Sequence, residues 1–454
     1  MSQPAIERLA ASRLLSRLPP LLRSPFALNN FIYFGGNFFA GLAGFAFQGL
    51  LANALGANGF AEVAPLISLF YLIQIPMFVV MAVAARYTAP LAAHREQSRV
   101  NRGYRDLVLY TSVVGFGAML VFLLITPLLK AFLNLPSLGP LIALSAAVPL
   151  CLLVGVGRGV VQGEERFVWL SGNFFLYGIT TLGFLPALLA FHMHAVGAVV
   201  AINLALVMCN LLAALALRDL PPAGHHERLP IWPLLRGAFG ASAGITAITF
   251  FYNFDVLLAK HFLSTQDAGL YSAMSLLGKI LFFGTISISV VMFPRVAAIH
   301  AEGRRAHRTV NLSLALVVAA GGAVVLAYFI APGAIVHLLL RKPEYGAIAS
   351  YLGLFSLAML GLAIANLLVY YFVAVHKRRF VWGVAVGAVA FATLLTLRHA
   401  DLGQFTSSVT LSIDLMAVVL MALYLWERPH LTELAAVAAA ETLGSSDETP
   451  AAIV

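Results

Sequence analysis

The chain alternates about twelve long apolar runs with short loops, and the basic residues of those loops fall almost entirely on alternate sides. An apolar run of about 18 residues or more spans a bilayer, and the alternation of charge sets the direction of each crossing. The runs lie near residues 29–53, 61–85, 107–131, 139–161, 167–191, 194–217, 237–262, 269–293, 309–331, 348–375, 380–397 and 405–426. Each must be helical, because hydrocarbon offers no partner to a backbone N–H or C=O. The expected fold class is therefore an all-α polytopic membrane protein. Composition excludes the soluble alternative: at 61% hydrophobic and 10% charged residues, 454 residues carry too little polar surface to cover a water-soluble fold.

With the N-terminus inside, 22 of the 28 Lys and Arg residues fall in cytoplasmic segments. Among them are Arg8, Arg13, Arg17 and Arg23, then Arg95, Arg99, Arg102 and Arg105, and Lys377, Arg378 and Arg379. Both termini are thus expected in the cytoplasm. The net charge of +9 is mainly a signal of orientation and of attraction to anionic membrane lipids, and no nucleic-acid partner is expected. Residues 1–25 read as an amphipathic surface segment, since Arg8, Arg13 and Arg17 interrupt the apolar core a signal peptide would need. Residues 427–454 read as a cytoplasmic, solubilising tail. Cys151 and Cys209 both fall inside spans without ligand spacing, so neither a disulfide framework nor a metal site is expected.

An internal echo divides the chain. FQGLLANALGANGFAEVAPLIS at 47–68 matches FDVLLAKHFLSTQDAGLYSAMS at 254–275 through Phe47/Phe254, Leu50/Leu257, Leu51/Leu258 and Ala52/Ala259. Each following helix then closes on an Arg near a Pro and an Ala-rich turn containing His. Chance likeness between apolar segments is the competing explanation. A true repeat gives a six-helix lobe at 26–217, a cytoplasmic linker at 218–235 rich in proline and charge, and a second six-helix lobe at 236–426. An even number of spans per lobe gives both lobes the same orientation, related by a pseudo-twofold axis along the membrane normal.

Polar residues inside the spans are the functional candidates, because a charge in hydrocarbon requires a partner or a cavity. Asp255 and Lys279 lie in the seventh and eighth spans, about 10 and 16 Å from their outer ends. Lys279 suits a phosphate or pyrophosphate crossing the membrane, or else pairs with Asp255. Asp255 suits a coupling cation, sugar hydroxyls, or an ion pair with Lys279 or Lys260. Arg158 and Arg86 lie near cytoplasmic ends, where side chains either snorkel to the headgroups or recognise phosphate at the inner mouth. Asn37 and Gln48 give the first span hydrogen-bonding capacity, for sugar or for a neighbouring helix. Asp414, with Ser412 as its polar companion, reads as an interhelical contact. The glycines at 155, 157 and 159 sit in a membrane helix with no preceding strand, so they indicate close packing rather than a nucleotide loop.

Three segments carry a family resemblance: NFDVLLAKHFLSTQDAGLYSAMSLLGK at 253–279, RGVVQGEERF at 158–167, and VMFPRVAAIHAEG at 291–303. They resemble the bacterial polysaccharide flippases and exporters of the multidrug/oligosaccharidyl-lipid/polysaccharide (MOP) superfamily. The resemblance implies two six-helix lobes that form a V-shaped cavity and alternate between inward-open and outward-open states in the bacterial inner membrane. It implies an undecaprenyl-pyrophosphate-linked oligosaccharide as cargo, no cofactor, and a polysaccharide polymerase and other envelope biosynthesis proteins as partners. By position it places Asp255 and Lys279 on cavity-lining helices and Arg86 at the close of the second helix. The first lobe has Gln48 where the second has Asp255, a departure that makes such a cavity electrically lopsided. The alternative function is cation-coupled efflux of small amphiphiles, with Asp255 as the coupling site. An enzyme is not expected, since the external loops are short, the longest lying near 332–347.

Overall fold

A computed structural model describes residues 25–223 and 231–444. Nearly all of the expected surface segment at 1–25, the middle of the 218–235 linker and the end of the 427–454 tail lie outside the described residues. The described chain is helical, with no strand among its elements. It divides into two compact units: the chain up to Ser242 together with Val256–Ser272, and Ala243–Asp255 together with the chain from Ala273 onward.

The first unit contains α1 (Pro25–Ile73), α2 (Ile75–Ala93), α3 (Gln97–Phe132), α4 (Gly139–Ser145), α5 (Ala147–Gly163), α6 (Phe167–Ala190) and α7 (His194–Ala216). It also takes in the hairpin where α8 (Ile231–Phe262) meets α9 (Thr265–Ala301). Helices and spans do not correspond one to one. The first apolar helical stretch, Phe31–Ala93, is 63 residues long. At about 1.5 Å per residue it would measure about 95 Å if straight, too long for one crossing of a hydrocarbon core of about 30 Å, and it covers two of the expected spans. Gly56 separates them: its φ of 72° is a left-handed conformation that side chains resist, and it falls between the expected spans at 29–53 and 61–85.

Two other breaks are interruptions within a span. Gln74, between α1 and α2, keeps helical dihedrals (φ −73°, ψ −18°), and the following Pro76 lacks the N–H that would continue the ladder. Ala146, between α4 and α5, is likewise helical (φ −64°, ψ −23°) three residues before Pro149. Ten stretches among the described residues are long and apolar enough to cross a membrane. With the first counted as two, and α8 covering the seventh expected span, they account for the twelve expected crossings.

Lipid tails are as apolar as leucine, so membrane helices associate through close packing and polar contacts rather than through water exclusion. Glycines make that packing possible on α5, the central helix of the first unit, which contacts α2, α3 and α7. A Cβ on Gly155 would come 2.6 Å from the Met77 carbonyl oxygen; one on Gly159 would collide with the Met81 carbonyl, and one on Gly163 would lie 2.6 Å from Thr88. Three glycines at four-residue spacing therefore bring the α5 backbone onto α2. The opposite condition holds on α3, where Leu109, Val113, Phe116, Leu120, Leu124 and Leu128 form an exposed apolar stripe, Leu124 at 80%. Such a face is suited to lipid.

The α8–α9 hairpin is held within the first unit. His261 stacks on Phe132 with ring centroids 4.3 Å apart, and its Nδ1 donates to the Phe132 carbonyl at 2.8 Å. Gly269 lies so close to the backbone of Ala57 that any Cβ would collide with it.

The second unit holds the remainder of α8 and α9, then α10 (His307–Ile330), α11 (Pro332–Leu339), a 3-10 turn at Pro343–Ile348, α12 (Ala349–Ala374), α13 (Phe380–Leu397) and α14 (Leu402–Gly444). Its central helix is α12, packed against α10 and α14, while α13 packs on α14. Where α12 turns into α13, the buried Glu427 of α14 pairs with Lys377 at 3.1 Å and Arg379 at 3.4 Å. Arg379 also lies over the Trp426 ring, 4.6 Å from its centroid.

Candidate functional site

Two groups of intramembrane polar side chains stand out, one in each unit. In the first, Arg158 projects from α5 between α6 and α7. It does not snorkel: it is 6% exposed, because its helical phase points it into the unit five residues before α5 ends. Its Nε donates to Asn173 Oδ1 at 2.7 Å, and its Nη2 lies 3.9 Å from Cys209 Sγ. Its guanidinium rests 4.1 Å from the centroid of the Phe174 ring, which Tyr33 meets edge-on at 5.8 Å. Asn173 is fixed in turn, donating from Nδ2 to the Cys209 carbonyl at 2.7 Å. Among the described residues Arg158 makes no salt bridge. A positive charge is thus held inside the unit by neutral groups alone: an amide oxygen, a thiol and an aromatic face.

In the second unit α8 and α9 run side by side, and two pairs of residues face each other across them. Asp255, 1% exposed, accepts a hydrogen bond on Oδ2 from Ser275 Oγ at 3.2 Å. One turn further along each helix, Lys279 Nζ lies over the Tyr252 ring, 5.9 Å from its centroid. That distance is at the outer reach of a cation–π contact. Asp255 and Tyr252 are three residues apart and Ser275 and Lys279 four, so each pair shares a helix face. Lys279 is half-buried, and among the described residues it makes no salt bridge. Asp255 is nonetheless the negative charge that acts on Lys279, at longer range than a direct salt bridge. Lys260, the other cation considered for Asp255, has Glu62 as its nearby negative charge within the first unit.

The remaining sequence candidates are dispersed. Arg86 is exposed on α2, as a side chain reaching for headgroups must be. Asn37 is exposed and Gln48 half-buried, eleven residues apart on α1, which separates them by about 16 Å. Asp414 is half-buried and its carboxylate is packed directly on Gly361 of α12. Its helix is more polar than Ser412 alone suggests, since Thr406, Ser408 and Thr410 are buried along it as well.

Several residues with clear polar roles are not among the sequence candidates. Asn173 and Ser275 are isolated polar residues in apolar runs, and their importance comes from the partner opposite. Asn203 and Asn210, two turns apart on α7, donate to the carbonyls of Ala143 at 2.7 Å and Leu150 at 3.2 Å. Their i, i+7 spacing on one helix face is the signal that could have found them.

The family model described as polysaccharide biosynthesis protein matches residues 90–342, more than half of the chain. The chain belongs to this family. No curated protein matches it. Its fold is that of solved MOP superfamily transporters. A multidrug resistance MATE family transporter in an inward-facing conformation aligns with a TM-score of 0.75 at 14% identity, covering 88% of this chain and 95% of that one. An outward-facing MATE family transporter gives 0.61 at 14% identity, covering 89% and 94%. A MOP superfamily transporter from Pyrococcus furiosus, described by the reverse polarity of its binding pocket, gives 0.62 at 14% identity over 89% and 94%. This family member is a multi-pass membrane protein with a transporter's architecture.

Proposed function

We propose that this protein is a flippase that moves undecaprenyl-pyrophosphate-linked oligosaccharide units across the bacterial inner membrane by alternating access, with both termini in the cytoplasm and residues 26–217 and 236–426 as its two lobes. The observation that carries this reading is Lys279: an intramembrane ammonium, half-buried, on an aromatic face and without a salt bridge among the described residues. A cation in that state suits an anionic headgroup that must otherwise cross hydrocarbon unneutralised. In this mechanism Lys279 contacts the pyrophosphate and Asp255, oriented by Ser275, accepts hydrogen bonds from the first sugar. Arg158 contributes a fixed positive charge from within the first unit, Arg86 meets phosphate at the inner mouth, and Asn37 and Gln48 bond sugar hydroxyls. Membrane lipids surround it, and a polysaccharide polymerase and other envelope proteins receive its product. The matched family's description, polysaccharide biosynthesis protein, supports the same cargo class.

The test is reconstitution. Purified protein in liposomes is expected to move a fluorescent prenyl-pyrophosphate-linked sugar between leaflets, and a stably expressed Lys279→Ala variant is expected not to. Movement of cationic dyes without movement of the lipid-linked sugar would replace this reading with efflux of small amphiphiles.

A further inference from the structure

Asp414 lies twelve residues from the start of α14 at Leu402, about 18 Å along the helix, and about as far from Glu427. In a hydrocarbon core of about 30 Å that is the middle of the membrane. Among the described residues it makes neither a hydrogen bond nor a salt bridge. Its seat is a glycine: a Cβ on Gly361 would occupy the space now filled by Asp414 Oδ1. No cation stands at its depth on the helices packed against it. Of the titratable groups, α12 contributes only Tyr351, Tyr370 and Tyr371, and α13 contributes none. On α10, which meets α14 through the Tyr424–Asn311 hydrogen bond of 2.8 Å, His307 and Arg308 stand at the opening turn and Tyr328 near the far end. On α14 itself Tyr424 and Glu427 lie at least ten residues beyond, and Asp401 just precedes the helix.

Hydroxyls lead towards this carboxylate. Thr406, Thr410 and Asp414 follow at four-residue spacing on one face of α14. Both threonines are buried, and each donates to its own helix, Thr406 to the Leu402 carbonyl at 2.7 Å and Thr410 to that of Thr406 at 2.9 Å. Their oxygen lone pairs remain available as acceptors. On α12, Tyr351 lies beside Gly403 as Gly361 lies beside Asp414, a register that brings the buried Ser356 level with Ser408. The polar stripe therefore runs from the Leu402 end of the α12–α14 interface, the end expected on the outer side, to mid-membrane.

We propose that Asp414 is a proton-loading site that couples this transporter to the proton gradient, filled from the Leu402 end along the hydroxyl stripe. An ionised carboxylate at that depth without a cation is costly, and a proton neutralises it with a single bond. A hard metal cation would need several oxygen ligands at once, whereas this carboxylate faces a glycine. In each cycle one proton from the outer solution forms an O–H bond with the carboxylate, and that bond breaks again when the proton passes to water on the other side. The site's charge changes from −1 to zero and back. The proposal goes beyond the flippase reading and does not depend on the cargo.

Two measurements on the full-length protein test it. In lipid nanodiscs, infrared titration is expected to show a protonated-carboxyl band that changes with pH and that Asp414→Asn removes; survival of the whole band in that variant overturns the proposal. In liposomes carrying the fluorescent prenyl-pyrophosphate-linked sugar, an acidic outer solution is expected to accelerate the wild type, while Asp414→Asn keeps the rate seen without a gradient and Asp414→Glu recovers part of the response. An equal response of the wild type and Asp414→Asn overturns the coupling role. If the sugar does not move even with wild-type protein, the flippase reading falls, and the infrared titration still decides the proton site.

Discussion

Arg158 and Lys279 are both intramembrane cations without salt bridges among the described residues, and their surroundings differ in kind. Arg158 is enclosed: an amide, a thiol and a phenyl ring from two neighbouring helices hold its planar guanidinium, and a second hydrogen bond fixes the amide. Lys279 lies over a ring nearly 6 Å away, feels the Asp255 carboxylate without a direct salt bridge, and is only half-buried. A guanidinium presents five donors in a rigid fork and can be satisfied by fixed neutral groups, whereas an ammonium on a flexible stem can follow a moving partner. The first arrangement stores a charge in the scaffold. The second leaves a charge available to something that comes and goes.

The largest effect is therefore expected at Lys279. Lys279→Ala should abolish transport in the liposome assay and polysaccharide output in cells, while changing stability by no more than about 1 kcal/mol, the upper end for an accessible cation–π interaction. Arg158→Met should do the reverse. It breaks a hydrogen bond to a charged group and strands the buried Asn173 oxygen, a loss of about 2 kcal/mol that thermal unfolding in detergent would register, while residual folded protein keeps part of its transport. Equal destabilisation by both substitutions would erase the contrast between the two cations. Full stability of Arg158→Met with complete loss of transport would invert it.

The contrast also shows what a sequence of this kind reveals. The crossings are legible because each is a long, predominantly apolar run, and the one-sided basic loops order them. The turn at Gly56 is legible as a gap between runs, but the helical breaks at Gln74 and Ala146 are not, since their dihedrals never leave the helix. The burial of Arg158 escapes a sequence reading for a related reason. Its distance from the end of α5 is compatible with either snorkelling or burial, and the choice depends on helical phase and on Asn173 and Cys209, contributed by other helices. In the same way Asp255 and Lys279 are visible as charges in apolar runs, while Ser275 and Tyr252, which decide what those charges touch, look ordinary until α8 and α9 are set side by side.

A smaller effect tests the loose end of the comparison. Tyr252→Leu keeps bulk but removes the π face beneath Lys279, and should slow transport severalfold, in line with about 0.5 to 1 kcal/mol for an accessible cation–π interaction. Tyr252→Phe keeps the face and should stay close to wild type. If both substitutions are silent, the ring does not position the ammonium, and Lys279 is freer still than the structure indicates.

The smallest effect is expected at Ser275→Ala, which removes one hydrogen bond from Asp255. Deleting a hydrogen-bond donor costs about 1 kcal/mol of stability, but the other interactions of Asp255 persist, so transport should fall only slightly. The informative measurement is a double-mutant cycle with Lys279→Met. Ser275 and Lys279 lie one turn apart on α9 and bear on Asp255 and Tyr252 across the same helix pair. If the carboxylate and the ammonium work on one bound headgroup, the effects of the two substitutions will be coupled. Additive effects would mean that Asp255 serves the packing of α8 on α9, and that the cargo meets Lys279 alone.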